Sequence, residues 1–250
     1  MDRINDIFAK PERVDPLPDL YSIVIEQTYQ RIVYPHSSTL KGYQSGSSET
    51  YGELLPQLVA EIVNNVGVNA SSLLVDLGCG VGNVLAQVAI MRNCRCYGVE
   101  IRPGIVRLAK DVLRETQARC RLWGLKSGSM EVSEGDLTQD AMSLAKIQEA
   151  DLIVINNLKF DESLNQNIEN ILSINMKATA KAVTLRQLSY ARQLRSVQVQ
   201  NNGRLPSNTV FRTNAGLYLM CRDFAQGLLS WTNSSGQYYI YSKFDTTKIE

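Results

Sequence analysis

Residues 73–82, with the sequence LLVDLGCGVG, decide the fold of this chain. The five mainly apolar residues predict a buried strand, and the three alternating glycines predict a tight turn that opens a helix. Asp76 precedes the glycines, and Glu100 ends the next predicted strand, 24 residues later. An acid before the turn suits a cationic ligand better than a pyrophosphate, and an acid at the second strand's end is placed to bind ribose hydroxyls. The pattern favours S-adenosylmethionine over NAD, the alternative being a structural turn and a surface acid.

Strands and helices alternate on the carboxyl side of this stretch. This alternation predicts an α/β fold with a mostly parallel sheet and helices on both faces. Two antiparallel strands are predicted near the end of the chain. The predicted strands are residues 73–77, 96–100, 130–132, 151–156, 182–185, 217–221 and 237–242, and the predicted helices between them are residues 84–91, 105–122 and 162–174.

The amino-terminal part of the chain has a different pattern. Helical spacing of apolar residues predicts helices over 20–33 and 53–65, and the polar loop 35–48 between them is long enough to be a functional lid. We therefore expect residues 1–66 to form a small, mainly helical lid region. Residues 67–250 are then the cofactor-binding domain, which ends in the antiparallel hairpin.

Composition argues against several classes of protein. The chain has 250 residues, of which 44% are hydrophobic and 20% charged, so it buries a sizeable core and is not a disordered tail. No apolar run is long enough to cross a bilayer, and the first residues lack the apolar core of a secretory signal. Five cysteines without a C-x-x-C pair, and the single histidine His36, argue against a disulfide framework, a metal site and Ser-His-Asp catalysis. This cysteine usage favours a reducing compartment.

One segment is strongly basic although the net charge of the whole chain is +1. Residues 170–222 contain eight lysines and arginines and no aspartate or glutamate. The segment is either a solvated face or a surface for an anionic partner, and the sequence leaves both interpretations open. The basic residues are Lys177, Lys181, Arg186, Arg192, Arg195, Arg204, Arg212 and Arg222.

Two further polar segments follow predicted strands. Asp136 comes after the third strand, and Asn156 and Asn157 end the fourth. Ligands of open α/β sheets bind at the carboxyl ends of the strands, so Asp136 is a candidate acceptor for an adenine amino group. The alternatives are an ordinary turn acid for Asp136 and strand-end capping for the asparagine pair.

Taken together, these motifs resemble the disruptor-of-telomeric-silencing family of histone H3 core-lysine methyltransferases, which do not have the SET fold. The resemblance covers roughly residues 20–175 and 217–245. Generic methyltransferases share the glycine motif of residues 75–83. They lack the Tyr-Gly-Glu motif at residue 51, the Asn-Asn-x-x-Phe motif at residue 156 and the final Ser-Trp and Tyr-Tyr motifs. The matching motifs are Tyr51-Gly52-Glu53-Leu54, residues 75–83, Tyr97-Gly98-Val99-Glu100, Glu134-Gly135-Asp136-Leu137, Asn156-Asn157-Leu158-Lys159-Phe160, and Leu229-Ser230-Trp231-Thr232 with Tyr238-Tyr239.

The resemblance implies a class I methyltransferase fold, seven-stranded and Rossmann-like, and a nuclear enzyme that methylates a lysine of nucleosomal histone H3 with S-adenosylmethionine. It places Asn156 at the mouth of a lysine channel, with Phe160, Trp231 and either Tyr238 or Tyr239 as walls. It implies nucleosome binding, and DNA contacts are expected through Lys177, Lys181, Arg186, Arg192 and Arg195. The implied cofactor-binding residues are Tyr51, Glu53, Asp76, Gly78, Gly80, Glu100, Asp136, Leu137 and Asn156.

The chain departs from the family pattern after the fifth predicted strand. A Ser-x-Lys-Pro-Phe stretch of the family reads Thr184-Leu185-Arg186-Gln187-Leu188 here. This departure leaves two alternatives: a methyltransferase for another protein or a small molecule, and a catalytically weak nucleosome-binding module.

Overall fold

The computed structural model describes residues 18–36, 53–188, 204–230 and 232–244. Eight strands form one sheet. They are β1 (Leu73–Leu77), β2 (Arg95–Glu100), β3 (Met130–Glu134), β4 (Leu152–Ile155), β5 (Lys181–Thr184), β6 (Val210–Arg212), β7 (Tyr218–Phe224) and β8 (Gly236–Ser242).

Six α-helices lie within the described ranges. They are α1 (Pro18–Thr28), α2 (Pro56–Val66), α3 (Asn83–Arg92), α4 (Pro103–Leu122), α5 (Ala141–Glu149) and α6 (Glu162–Asn175). A π-helical turn and a 3-10 turn extend α1 as far as His36. None of these helices is long and apolar enough to cross a membrane.

The strand order is β3-β2-β1-β4-β5-β8-β7-β6. Strands β1 to β5 are parallel, whereas β8 runs antiparallel between β5 and β7. The order reverses at β1, which pairs with β2 on one side and with β4 on the other. This is the switch point at which doubly wound sheets bind ligands. The predicted Rossmann-like α/β fold is therefore confirmed, with one additional edge strand, β6.

Each face of the sheet is covered by helices. Every residue of β1 is buried, which explains its continuous apolar run. Leu74 packs into a core shared with α1, α2, α3 and α4, whereas Val75 packs into a second core shared with α5 and α6. The helices of the amino-terminal region thus pack on one face of the sheet. The division of the chain at residue 66 stays a prediction.

Candidate functional site

A cleft of about 250 Å³ opens at the carboxyl ends of β1, β2, β3 and β4. Each of these strands, or the turn that follows it, contributes residues to the lining. The structure thereby brings together side chains that are up to about a hundred residues apart in sequence. The predicted site residues that line the cleft are Glu53, Asp76, Gly78, Gly80, Glu100, Asp136, Leu137, Asn156 and Phe160.

The glycine turn after β1 has a backbone that few other residues could adopt. The backbone N–H groups of Gly78 and Cys79 both donate to the Val99 carbonyl, at 2.9 and 3.0 Å, which ties the turn to β2. Gly78 has a φ of 83°, in the left-handed region that favours glycine. A Cβ on Gly78 would lie 3.6 Å from Cζ of Phe160. The Phe160 ring is therefore next to the floor of the cleft.

Glu100 is held rigidly at the end of β2. Its Oε2 accepts a hydrogen bond from the Gly80 N–H at 3.2 Å, and its Oε1 accepts from the backbone N–H and Nε of Arg102 at 3.1 and 3.0 Å. Two carboxylate oxygens provide about four acceptor sites, so capacity for ribose hydroxyls is left. The geometry suits the ribose-binding role that the sequence predicts for Glu100.

Asp76 is the most deeply buried acid of the cleft, with 4% of its surface exposed. Burial, and secondarily the negative charge of Glu100, raise the pKa of Asp76 to about 7. Within the described ranges, no donor forms a hydrogen bond with its carboxylate. A cation bound in the cleft would stabilise the charged form of Asp76. The cleft therefore fits a ligand with a positive charge near β1.

Glu53, which precedes α2, lines the cleft and is also bonded to a distant part of the chain. Glu53 and Ser230 are linked twice: the Glu53 N–H donates to Ser230 Oγ at 2.9 Å, and the Ser230 N–H donates to the Glu53 carbonyl at 3.1 Å. Burial raises the pKa of Glu53 to about 7, although a hydrogen bond from Asn83 Nδ2, at 2.8 Å, lowers it. Asn83 is a cleft residue that the sequence analysis missed, and its place at the start of α3 was the available signal.

Asp136 lines the cleft and also organises the turn after β3. Its Oδ1 accepts from the backbone N–H and Oγ1 of Thr138 at 2.8 and 2.7 Å, and its Oδ2 accepts from Gln139 Nε2 at 3.1 Å. These bonds are those of a turn acid. An additional adenine contact remains a prediction.

The two asparagines at the end of β4 have different places. Asn156 lines the cleft, whereas Asn157 is fully buried and bonds to the chain beyond β5. Strand-end capping therefore describes Asn157, whereas Asn156 contributes to the cleft lining.

The tyrosine pair of β8 lies outside the described lining of the cleft. Tyr238 is buried in the core beneath α2, where its hydroxyl accepts from Asn65 Nδ2 at 2.7 Å and donates to Glu61 Oε1 at 3.1 Å. Burial raises its pKa to about 12. Tyr239 packs in the core of the opposite face, because successive side chains of a strand alternate. The described lining of the cleft includes neither tyrosine, so a channel wall at Tyr238 or Tyr239 stays a prediction. Tyr51 and Trp231 lie outside the described residues.

Three of the five residues predicted to contact DNA lie within the described ranges, near the two ends of β5. Lys177 and Lys181 lie at the amino end of β5, away from the cleft, and Lys177 Nζ is 2.5 Å from Asp151 Oδ1. Arg186 follows the carboxyl end of β5, and its Nη1 donates to the Phe160 carbonyl at 3.2 Å. Lys177 and Lys181 therefore lie at the opposite end of β5 from Arg186, and DNA contacts through these three residues stay a prediction. Arg192 and Arg195 lie outside the described residues.

Among the cysteine and histidine residues that the structure describes, only Cys79 lines the cleft. All five cysteines are buried free thiols, and the Cys94 and Cys96 sulfurs are 3.8 Å apart. The Nδ1 of His36 donates to the Ile32 carbonyl at 2.9 Å. Among the described residues, no group of three His, Cys, Asp or Glu side chains is arranged to hold a metal ion.

Comparison with known proteins places the chain among histone methylation proteins. A family model described as "Histone methylation protein DOT1" matches residues 29–243. The chain is 30% identical over 227 residues to the "Histone-lysine N-methyltransferase, H3 lysine-79 specific" of Chaetomium globosum, covering 90% of this chain and 41% of that protein. The protein of the same description from Yarrowia lipolytica is 30% identical over 245 residues, covering 98% of this chain and 47% of that protein. The chain thus spans less than half of the length of these relatives.

Solved structures are also similar to this chain. An RNA methyltransferase from Salinibacter ruber in complex with S-adenosyl-L-homocysteine aligns with a TM-score of 0.47 and 18% identity, covering 78% of this chain and 96% of the other. A TehB-like SAM-dependent methyltransferase from Corynebacterium glutamicum aligns with a TM-score of 0.44 and 15% identity, covering 88% and 98%.

Proposed function

Since the chain belongs to the DOT1 family of histone methylation proteins, we propose that it is a histone-lysine N-methyltransferase acting on nucleosomal histone H3. The relatives described as specific for lysine 79 of histone H3 make that lysine the proposed target. The observation that most supports the activity is the cleft itself. A buried acid that accepts no hydrogen bond from the residues the structure describes, a glycine turn and a second fixed acid lie together at the switch point of the sheet.

S-adenosylmethionine is the proposed cofactor, and it would supply a methyl group bonded to a positively charged sulfur. We propose that Asp76 and the backbone of Gly78 and Gly80 hold its cationic methionine part. Glu100 accepts hydrogen bonds from the ribose hydroxyls. Asp136 and Leu137, which also line the cleft, would contact the adenine. Glu53 and Tyr51 belong to the lid over the methionine end in this proposal.

The chain's own task in methyl transfer is to present a neutral amine in line with the methyl group. A free lysine has a pKa of ~10.4, so its ammonium must lose a proton before attack. Apolar walls disfavour the charged form by desolvation and direct the amine along one line. We propose that Phe160, beside Gly78, and Trp231 provide such walls, with Asn156 at the entrance. No general base is then required.

The nucleosome as substrate and the nucleus as location are part of the same proposal. A lysine on a folded histone surface needs the intact particle to be presented. DNA contacts through Lys177, Lys181, Arg186, Arg192 and Arg195 stay predictions. Lys177 also pairs with Asp151, and Arg186 donates to the Phe160 carbonyl.

Cofactor affinity is expected to fall as the pH is lowered through about 7. The carboxylate form of Asp76 binds the cation, but its pKa of about 7 leaves it increasingly protonated below that pH. Each pH unit below 7 should therefore cost up to ~10-fold in affinity, with uptake of the cofactor releasing up to one proton. Calorimetric titrations with S-adenosylhomocysteine between pH 5.5 and 8.5, in buffers of different ionisation enthalpy, measure both quantities. A pH-independent affinity without proton release would contradict the role of Asp76.

The decisive experiment is transfer of radiolabelled methyl from S-adenosylmethionine to intact nucleosomes, with free histones in parallel. We expect labelling of histone H3 and its loss by at least ~100-fold in Gly78→Arg, because an arginine would fill the cofactor cleft. Gly216→Arg is the matched control, since Gly216 has the same φ of 83° and nothing within 4 Å of a Cβ. Labelling of free histones alone would instead indicate another substrate, and nucleosome binding without transfer would indicate a binding module.

A further inference from the structure

The end of β4 is joined to the end of β5 by one buried side chain. Asn157 uses all of its hydrogen-bonding groups. Its Oδ1 accepts from the backbone N–H groups of Leu185 and Arg186 at 3.1 and 2.9 Å. Its Nδ2 donates to the Arg186 carbonyl at 2.8 Å and to Asn165 Oδ1 at 2.6 Å. The backbone of Arg186 is thereby fixed on both sides of its peptide unit.

The same set of residues fixes the backbone of Phe160. The Phe160 N–H donates to the Asn157 carbonyl at 3.1 Å. The Phe160 carbonyl accepts from Asn165 Nδ2 at 3.1 Å and from the guanidinium Nη1 of Arg186 at 3.2 Å. Backbone groups on both sides of the Phe160 side chain are therefore constrained. We call Asn157, Phe160, Asn165 and Arg186 the Phe160 junction.

The location of the Phe160 ring gives the junction a consequence for the cleft. Phe160 lines the cleft, and its Cζ is 3.6 Å from the position of a Cβ on Gly78. The ring thus faces the turn that is proposed to hold the methionine part of the cofactor. A shift of the Phe160 backbone would move the ring relative to the reacting atoms, and misplacement by about 1 Å can cost ~100-fold in rate.

We propose that Arg186 is a positioning residue for methyl transfer: its guanidinium, bonded to the Phe160 carbonyl, holds the Phe160 ring against the methyl-transfer end of the cleft. This inference rests on the proposed methyltransferase function. It assigns to Arg186 a role inside the enzyme, in place of the DNA contact that its basic segment predicts. It also assigns a role to one residue of the stretch 184–188, which departs from the family pattern.

A guanidinium is suited to this role for a chemical reason. Its planar fork of N–H donors is always charged and has a fixed direction, whereas a lysine ammonium is a flexible point charge. Arg186 is partly buried, and its backbone is already fixed by Asn157. The hydrogen bond to the Phe160 carbonyl therefore transmits the position of the β5 end to the ring.

The kinetic test compares Arg186→Ala and Arg186→Gln with Arg204→Ala, an exposed arginine that serves as the matched control. On nucleosomes we expect kcat to fall ~10- to 100-fold in Arg186→Ala. The KM for nucleosomes and the affinity for S-adenosylhomocysteine should stay within about threefold of the unmodified chain, and added guanidinium ion should partly restore kcat. Arg186→Gln retains a side-chain N–H donor and should be intermediate. A raised nucleosome KM with unchanged kcat would overturn the proposal, because it would indicate a substrate contact.

A spectroscopic test does not depend on any activity. The five phenylalanines are replaced by 4-fluorophenylalanine, and the fluorine resonance of residue 160 is identified by its loss in Phe160→Leu. We expect this resonance to shift or broaden in Arg186→Ala and Arg186→Gln and to be unchanged in Arg204→Ala. An unchanged resonance in both Arg186 variants would overturn the proposal. If nucleosomes are not methylated but the resonance responds, the proposed substrate is wrong and the positioning role stands.

Discussion

Replacing Asp76 with asparagine is expected to abolish cofactor binding and, at the same time, to stabilise the free protein at pH 8. Asparagine has nearly the same shape but no charge, so the variant removes the attraction for a cationic ligand and little else. Loss of one partner of a buried charge pair typically costs 2–5 kcal/mol, so we expect affinity for S-adenosylmethionine to fall at least ~100-fold. Methyl transfer should fall with it.

The stability effect follows from the raised pKa of Asp76. Its folded-state value of about 7 is above the ordinary value of 3.8, so this group favours folding below pH 3.8 and loses that contribution as the pH rises through 7. At pH 8 the folded protein holds a buried charge that the asparagine variant lacks. About three pKa units at 1.36 kcal/mol each set an upper limit of ~4 kcal/mol on the stabilisation.

Two measurements on the Asp76→Asn variant separate these effects. Calorimetric titration reports the cofactor affinity, and thermal unfolding at pH 5 and pH 8 reports stability without cofactor. The variant should unfold at a higher temperature than the unmodified chain at pH 8, by several degrees, and the difference should shrink at pH 5. Asp111→Asn, on the exposed face of α4, is the control and should change neither quantity appreciably. An Asp76→Asn variant that binds cofactor normally would remove the main support for a cationic ligand.

The sequence was most informative where local pattern and burial coincide. The run at β1 is buried along its whole length, so its composition alone indicates a central strand. The glycine turn is similarly explicit, because a positive φ at Gly78 restricts the residue type. The proximity of Asp76 and Glu100 could be predicted, because neighbouring parallel strands have their carboxyl ends on the same side of the sheet. Helix α5 was missed although Asp140 caps it by accepting from the Ser143 N–H at 2.8 Å.

Other features depend on contacts between distant segments and have no local signature. The sequence shows Tyr238 and Tyr239 only as two adjacent aromatic residues. Because side chains alternate along β8, Tyr238 packs into the core on one face of the sheet and Tyr239 into the core on the other. Likewise, the basic segment is continuous in sequence, yet Lys177 and Arg186 lie near opposite ends of β5. The role of Asn157 could not be predicted, because its partners follow the next strand, 28 and 29 residues away.

The second large effect is expected for Gly128→Ala, which should strongly destabilise the fold. A Cβ on Gly128 would lie 1.7 Å from the carbonyl oxygen of Cys94, and this neighbour is backbone rather than a flexible side chain. The close approach lets the segment before β3 reach β2, since the Cys96 N–H donates to the Ser129 carbonyl at 2.8 Å directly beside it. Overpacking costs typically 1–3 kcal/mol and occasionally more, and a clash with backbone belongs at the upper end, so we expect a loss of about 3 kcal/mol or more.

Urea unfolding of Gly128→Ala and Gly104→Ala tests this expectation with a matched pair. Gly104 lies in the first turn of α4, where the nearest atom to a Cβ is Arg107 Nη2 at 3.8 Å, and alanine should be neutral or stabilising by up to ~1 kcal/mol. Equal unfolding midpoints for the two variants would contradict the prediction, because they would show that the segment before β3 accommodates the Cβ without loss of stability. A large loss confined to Gly128→Ala would instead show that the close backbone approach between the segment before β3 and Cys94, just before β2, is needed for the stability of the fold.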